Sequence, residues 1–140
     1  MSIFIRYDLI SQDVPGMDRQ QLISSILGDL SFIPQSIPGV FLYGSYATDS
    51  ADARSDIDIC IVSGKEFEPQ DLQSLAWRNI KSEKYDIRIF ELLPLFIQIR
   101  VLTQGILIYS PDKASLCEYL YGYRKLWDDQ KWYQSPIPGA

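Results

Sequence analysis

Two aspartates one residue apart lead an apolar run in the middle of the chain, at Asp56-Ile57-Asp58-Ile59-Cys60-Ile61-Val62. Alternate residues of a strand project to the same face. A strand here sends Asp56 and Asp58 to one side and Ile57, Ile59 and Ile61 to the other. Aspartate is disfavoured inside strands, and two neighbouring carboxylates repel each other and resist desolvation. A divalent cation is the usual means of offsetting that cost. The fold must therefore bury an isoleucine row while leaving a carboxylate pair accessible.

Upstream, Val40 to Tyr43 is a short apolar run bounded by Gly39 and Gly44, consistent with a buried strand. Gly44 and Ser45 follow it. Glycine allows close backbone approach to a ligand, and a helical turn starting at Ser45 would present free N–H groups to an anion. An ordinary strand-to-helix turn explains the same two residues. Residues 46–55 read as one helical turn and a loop, and residues 56–62 as the second strand. A third carboxylate, Asp86, stands in YDIRIFE at 85–91, where Ile87 and Ile89 point one way and Asp86, Arg88 and Phe90 the other. If this strand pairs beside 56–62, Asp86 reaches the same cluster. The alternative is an ion pair with Arg88 or Lys84.

The other elements follow from period and punctuation. A mediocre strand is expected at 3–10 and a one-faced helix at 17–32, with Leu22, Ile23, Ile26, Leu27 and Leu30 inward and Gln20, Gln21 and Asp29 wet. A helix opened by Pro69 runs to about 80, with Leu72, Leu75, Ala76 and Ile80 inward. Another starts at Pro94 and reaches 103, with Gly105 as its stop, before a fourth strand at 106–109. A long helix fills about 112–132, and the tail from Ser135 is expected to fray. On the long helix Leu116, Leu120, Tyr123 and Trp127 form one stripe. Tyr119, Leu126 and Tyr133 fall outside it and suggest a protein contact. The class is α/β or α+β: a small mixed sheet flanked by helices, in one domain over 1–140 with a core at about 17–112.

Composition narrows the chemistry. The 140 residues suit one core, and 46% hydrophobic with 22% charged residues is a folded composition. A net charge of -5 argues against sequence-independent nucleic-acid binding and suits a basic protein partner. With no histidine, Ser-His-Asp and Cys-His catalysis and histidine metal sites are excluded. Cys60 and Cys117 lack a zinc spacing, and Cys60 reads as a small core residue. Any metal is a hard, oxygen-liganded ion, Mg²⁺ or Mn²⁺. No leader or membrane-length apolar run is visible, so the cytoplasm is the default expectation. A metal-dependent nucleotidyl-transfer site is the chemistry that these residues suggest, its ions clamping the entering and leaving oxygens.

Gly44-Ser45, ten residues, then Asp56-Ile57-Asp58 resembles the signature of nucleotidyltransferases related to DNA polymerase β. The compact size and the later YDIRIFELLP…VLTQGILIYSPD resemble the minimal nucleotidyltransferases, which are commonly antitoxins partnered with HEPN proteins. The resemblance covers about 40–112. It implies a polymerase β-like nucleotidyltransferase fold, two Mg²⁺ ions, and attack of a hydroxyl on an α-phosphate with pyrophosphate leaving. It makes Asp56, Asp58 and Asp86 the catalytic and metal-binding residues, and Gly44 and Ser45 the phosphate-binding ones. Arg54 and Ser55 are further phosphate-side candidates.

Many relatives read GSYARG, where this chain has Thr48 and Asp49. The missing arginine would grip phosphate; Arg54 is the candidate that replaces it from a different position. The leading expectation is transfer of AMP from ATP onto a hydroxyl of a HEPN toxin, a tyrosine being the natural acceptor. The alternatives are transfer to a small molecule such as an aminoglycoside, and a non-catalytic antitoxin that neutralises by binding. No direct nucleic-acid or membrane partner is expected, and homo-oligomers remain open.

Overall fold

The computed structural model describes residues 19–48, 50–51, 54–80 and 82–134. The strand expected at 3–10, Met17, Asp49, Asp52, the side chain of Tyr133 and the tail from 135 lie outside the described residues.

Four strands form one mixed sheet in the order β3-β2-β1-β4, with β1 at Gly39–Tyr43, β2 at Ile57–Val62, β3 at Tyr85–Ile89 and β4 at Ile106–Tyr109. β1 is antiparallel to both β2 and β4. β2 and β3 are parallel, joined by the crossover helix α2 at Pro69–Asn79. The remaining helices are α1 at Arg19–Asp29, α3 at Leu95–Gln104 and α4 at Lys113–Gln134.

Strand alternation divides the core into two layers. Val40, Leu42, Ile57, Ile59, Ile61, Ile87, Ile89, Ile106 and Ile108 face α1 and α2, where they meet Ile23, Ile26, Leu72 and Ala76. Phe41, Tyr43, Cys60, Val62 and Leu107 face the opposite way and pack with Val101, Leu102, Leu116 and Leu120 from α3 and α4. All five residues of β1 are buried, so it has no wet face. Each fully buried aliphatic or aromatic side chain contributes about 1.5–3 kcal/mol of transfer free energy, which makes this double layer the main stabilising feature.

The element ends differ from the periodic pattern where local chemistry intervenes. α1 stops at Asp29, short of the expected Phe32, and a turn carries the chain to β1. β3 stops at Ile89, and Phe90–Leu92 forms a 3-10 turn, because Glu91 leaves the strand to accept the Ser63 and Gly64 N–H groups at 3.0 Å each. α4 begins at Lys113 because Asp112 is its cap: Oδ1 accepts the Ser115 N–H at 3.1 Å and Oδ2 the Ser115 hydroxyl at 2.8 Å. These bonds hold the Asp112 carboxyl below its usual pKa. Gly105 does end α3, but not in the left-handed conformation expected of a helix stop. Its φ is −74°, and glycine is required because a Cβ would lie 2.4 Å from the Val101 carbonyl oxygen.

Two glutamines are buried against the same strand region. Gln73 Nε2 donates to the Ile87 carbonyl at 3.0 Å, and Gln98 Nε2 to the Phe90 carbonyl at 2.9 Å. Gln73 thereby satisfies a backbone acceptor on β3, an outer strand of the sheet. Replacing Gln73 by Leu strands that carbonyl in an apolar environment. Urea unfolding of Gln73→Leu is expected to show a loss of about 1–3 kcal/mol; an unchanged midpoint would contradict this assignment.

Candidate functional site

The two-layer arrangement leaves one end of β2 uncovered. On the α3–α4 side the residues of β2 are Asp58, Cys60 and Val62, in that order. Cys60 and Val62 are fully buried in the apolar layer, whereas Asp58 is only partly covered. The parallel register pairs Asp58 with Asp86 and Cys60 with Arg88. Asp86 therefore projects beside Asp58 on the same face. Asp56 precedes the strand by one residue and is exposed.

From the other side of β2, Tyr43 at the end of β1 pairs with Asp58. The next residue, Gly44, turns sharply with φ +74° and opens a 3-10 turn, Gly44–Tyr46. A Cβ on Gly44 would fall 2.1 Å from Asp58 Oδ2. The backbone of the turn thus rests directly on the carboxylate, and the positive φ favours glycine there whatever the space. Ser45 stands beside it, half-buried.

Charge is concentrated here. The Asp58 carboxyl is raised from 3.8 to about 6, chiefly by burial, then by the charges of Asp86 and Asp56. Tyr43 is raised well above the ordinary phenol range, first by burial and then by Cys60, Asp58 and Asp86, so its hydroxyl stays protonated. Arg88 partly offsets the acidity: its Nε donates to Asp86 Oδ1 at 2.9 Å. The expected alternative for Asp86, an ion pair with Arg88, is therefore formed on the same face as Asp58.

The oxygen-only donor set and the charge strain on Asp58 suit a hard divalent ion. Among the described residues, however, no group of three or more His, Cys, Asp or Glu side chains is gathered closely enough to hold one as it stands. Asp58 and Asp86 are brought together by strand register, Asp56 lies at the strand entrance, and Asp86 is engaged by Arg88.

On the loop side, Thr48 does not extend towards the carboxylates. Its hydroxyl folds back to the Gly44 carbonyl at 3.3 Å and to Ser50 Oγ at 3.0 Å. The position where GSYARG would carry arginine is used here to brace the turn. Arg54 is exposed and Ser55 half-buried on the approach to β2. Tyr43 and Arg88 are site neighbours that strand alternation could have revealed, since each shares a face with the aspartates once the register is known.

The family described as Polymerase beta, Nucleotidyltransferase matches residues 31–114. The Methanocaldococcus jannaschii protein named "Putative protein adenylyltransferase MJ1547" is 39% identical over 96 residues, 66% of this chain and 71% of that protein.

The chain belongs to the polymerase β nucleotidyltransferase family.

Its fold is similar to that of a chain in a toxin–antitoxin crystal structure with AMP-PNP, at TM-score 0.64 and 19% identity, over 84% of this chain and 95% of that one. It is also similar to a chain from the complex of tri-AMPylated Shewanella oneidensis HEPN toxin with MNT antitoxin, at TM-score 0.59 and 18% identity, over 86% of this chain and 95% of that one. The mixed sheet with helices that the resemblance implied is the observed nucleotidyltransferase fold. No helix among the described residues is long and apolar enough to cross a membrane.

Two outcomes test this geometry. Gly44→Ala forces a side chain into the left-handed region and against Asp58. It is expected to cost about 1–3 kcal/mol in urea unfolding; a variant with an unchanged midpoint would contradict the close approach. The second concerns pH. Asp58 has a folded-state pKa of about 6 against 3.8 when unperturbed, so the folded state retains a proton that the unfolded state releases. Stability in a divalent-free buffer therefore falls as pH rises across that interval. Asp58→Asn should flatten the slope in thermal melts, and an identical slope in the variant would contradict the assignment.

Proposed function

We propose that this chain is a Mg²⁺-dependent nucleotidyltransferase, with Mn²⁺ as a substitute ion, that moves AMP from ATP onto a hydroxyl of a HEPN-type protein partner and so acts as an antitoxin. The observation that carries the reading is the pairing of Asp58 with Asp86 on adjacent parallel strands, with Asp58 against the Gly44 turn. Support for the substrate comes from the relative named as a protein adenylyltransferase. Support for the partner comes from fold likeness to chains of HEPN–MNT complexes.

In this reading Asp56, Asp58 and Asp86 would hold divalent ions, Asp58 and Asp86 from paired strand positions and Asp56 from the strand entrance. A bound divalent ion would neutralise the carboxylates and the charge developing on the phosphoryl oxygens. The Gly44–Ser45 turn supplies backbone N–H groups and a hydroxyl to the triphosphate, with Ser55 and Arg54 on the approach to β2. Asp86 lies on the outer strand, opposite the turn across β2. Asp86 would also orient the acceptor hydroxyl. The acceptor oxygen bonds to the α-phosphorus, the bond to the bridging oxygen of the β-phosphate breaks, pyrophosphate leaves, and the hydroxyl proton passes to a carboxylate or to water.

A second reading, a binding antitoxin without turnover, is favoured by one observation: Thr48 is folded into its own turn rather than available to phosphate. Incubation with labelled ATP, Mg²⁺ and a HEPN partner separates the two. Transfer predicts label on the partner and a loss of at least about a hundredfold in Asp58→Asn. Tight binding with no label, insensitive to Asp58→Asn, would overturn the enzymatic reading.

A further inference from the structure

Residues 44–53 include no lysine or arginine, and the first cation after the Gly44 turn is Arg54, exposed on the approach to β2. Lys84, at the entrance to β3, lies over the Tyr46 ring, with Nζ 5.7 Å from its centroid. Arg88 is differently placed. It stands on β3 two residues beyond Asp86, so strand alternation directs both side chains to the same face. Its Nε is 2.9 Å from Asp86 Oδ1, and the two side chains are 54% and 39% exposed. An ion pair so open to water is weak. A divalent ion carries twice the charge in a smaller radius and competes for the same carboxylate oxygens.

We propose that Arg88 is a displaceable counter-cation of the carboxylate pair. It holds Asp86 until a divalent ion takes that carboxylate, and its freed guanidinium then grips the phosphates of the nucleotide. The inference rests on the ion-dependent reading of the site given above. Three features carry it. Arg88 is bonded to the very carboxylate that the ion needs. Its side chain is exposed enough to swing on release. The turn's own side chain at position 48 is folded away. A guanidinium fork matches phosphate oxygens in a way that neither threonine nor the serine hydroxyls can.

The two halves of the proposal have opposite signs, which a merely structural arginine would not produce. Mn²⁺ is titrated calorimetrically into the full chain without nucleotide, and a non-hydrolysable ATP analogue is then titrated at saturating Mn²⁺. Arg88→Gln is expected to bind Mn²⁺ about two- to fivefold more tightly, as removal of an exposed ion pair allows. The same variant should bind the analogue about tenfold more weakly. Arg88→Lys should retain part of the nucleotide affinity. Arg88→Gln that weakens both ligands, or leaves either unchanged, overturns the proposal. Asp58→Asn is the control: if it abolishes Mn²⁺ binding while Arg88→Gln changes nothing, only the role of Arg88 fails. If Asp58→Asn leaves Mn²⁺ binding intact, the ion site itself is misassigned.

Discussion

The parallel register between β2 and β3 is the constraint on which the rest of the site depends. It pairs Asp58 with Asp86 and, on the alternate positions, Ile57, Ile59 and Ile61 with Tyr85, Ile87 and Ile89. A slip of one residue would send the aspartates into the isoleucine layer against α1 and α2. Burial of those isoleucines therefore fixes where the carboxylates lie. The energy that places two repelling charges side by side comes from apolar packing on the other face of the same strands, not from any attraction at the site itself.

The opposite face makes the same point from the other direction. Asp58, Cys60 and Val62 form a gradient from partial exposure to full burial as β2 passes under α3 and α4. Glu91 ties the far end of this arrangement together. It accepts from Ser63 and Gly64 after β2 and from the Tyr119 hydroxyl of α4 at 2.6 Å. One carboxylate thus joins the end of β3, the turn after β2 and the long helix. Tyr119, whose place outside the main stripe suggested a protein contact, is instead half-buried and committed to Glu91, while Tyr123 packs edge-on to Phe90. Leu126 and Tyr121 remain exposed on that helix.

Much of this was legible in the residues. The alternation of 56–62 and of 85–89 assigned each side chain to its face, and the two prolines at 69 and 94 marked the helix starts. What could not be read was the partner of each polar side chain. Glu91, Gln73 and Gln98 look like surface residues in sequence, because their acceptors and donors lie at least eight positions away. Thr48 looks like a lost phosphate ligand; in three dimensions it is a brace. The sequence marks Gly44 as a place where backbone can approach a ligand closely, but what the turn approaches, the Asp58 carboxylate, depends on a contact across the sheet.

In the proposed function, ion and nucleotide meet at the Asp58–Asp86 pair beside the Gly44 turn. Anomalous diffraction from a crystal grown with Mn²⁺ and a non-hydrolysable ATP analogue tests it directly. The expected result is an anomalous peak between the two carboxylates, with the triphosphate lying along the Gly44–Ser45 turn. Ordered nucleotide elsewhere, or Mn²⁺ bound away from Asp58 and Asp86, would contradict it.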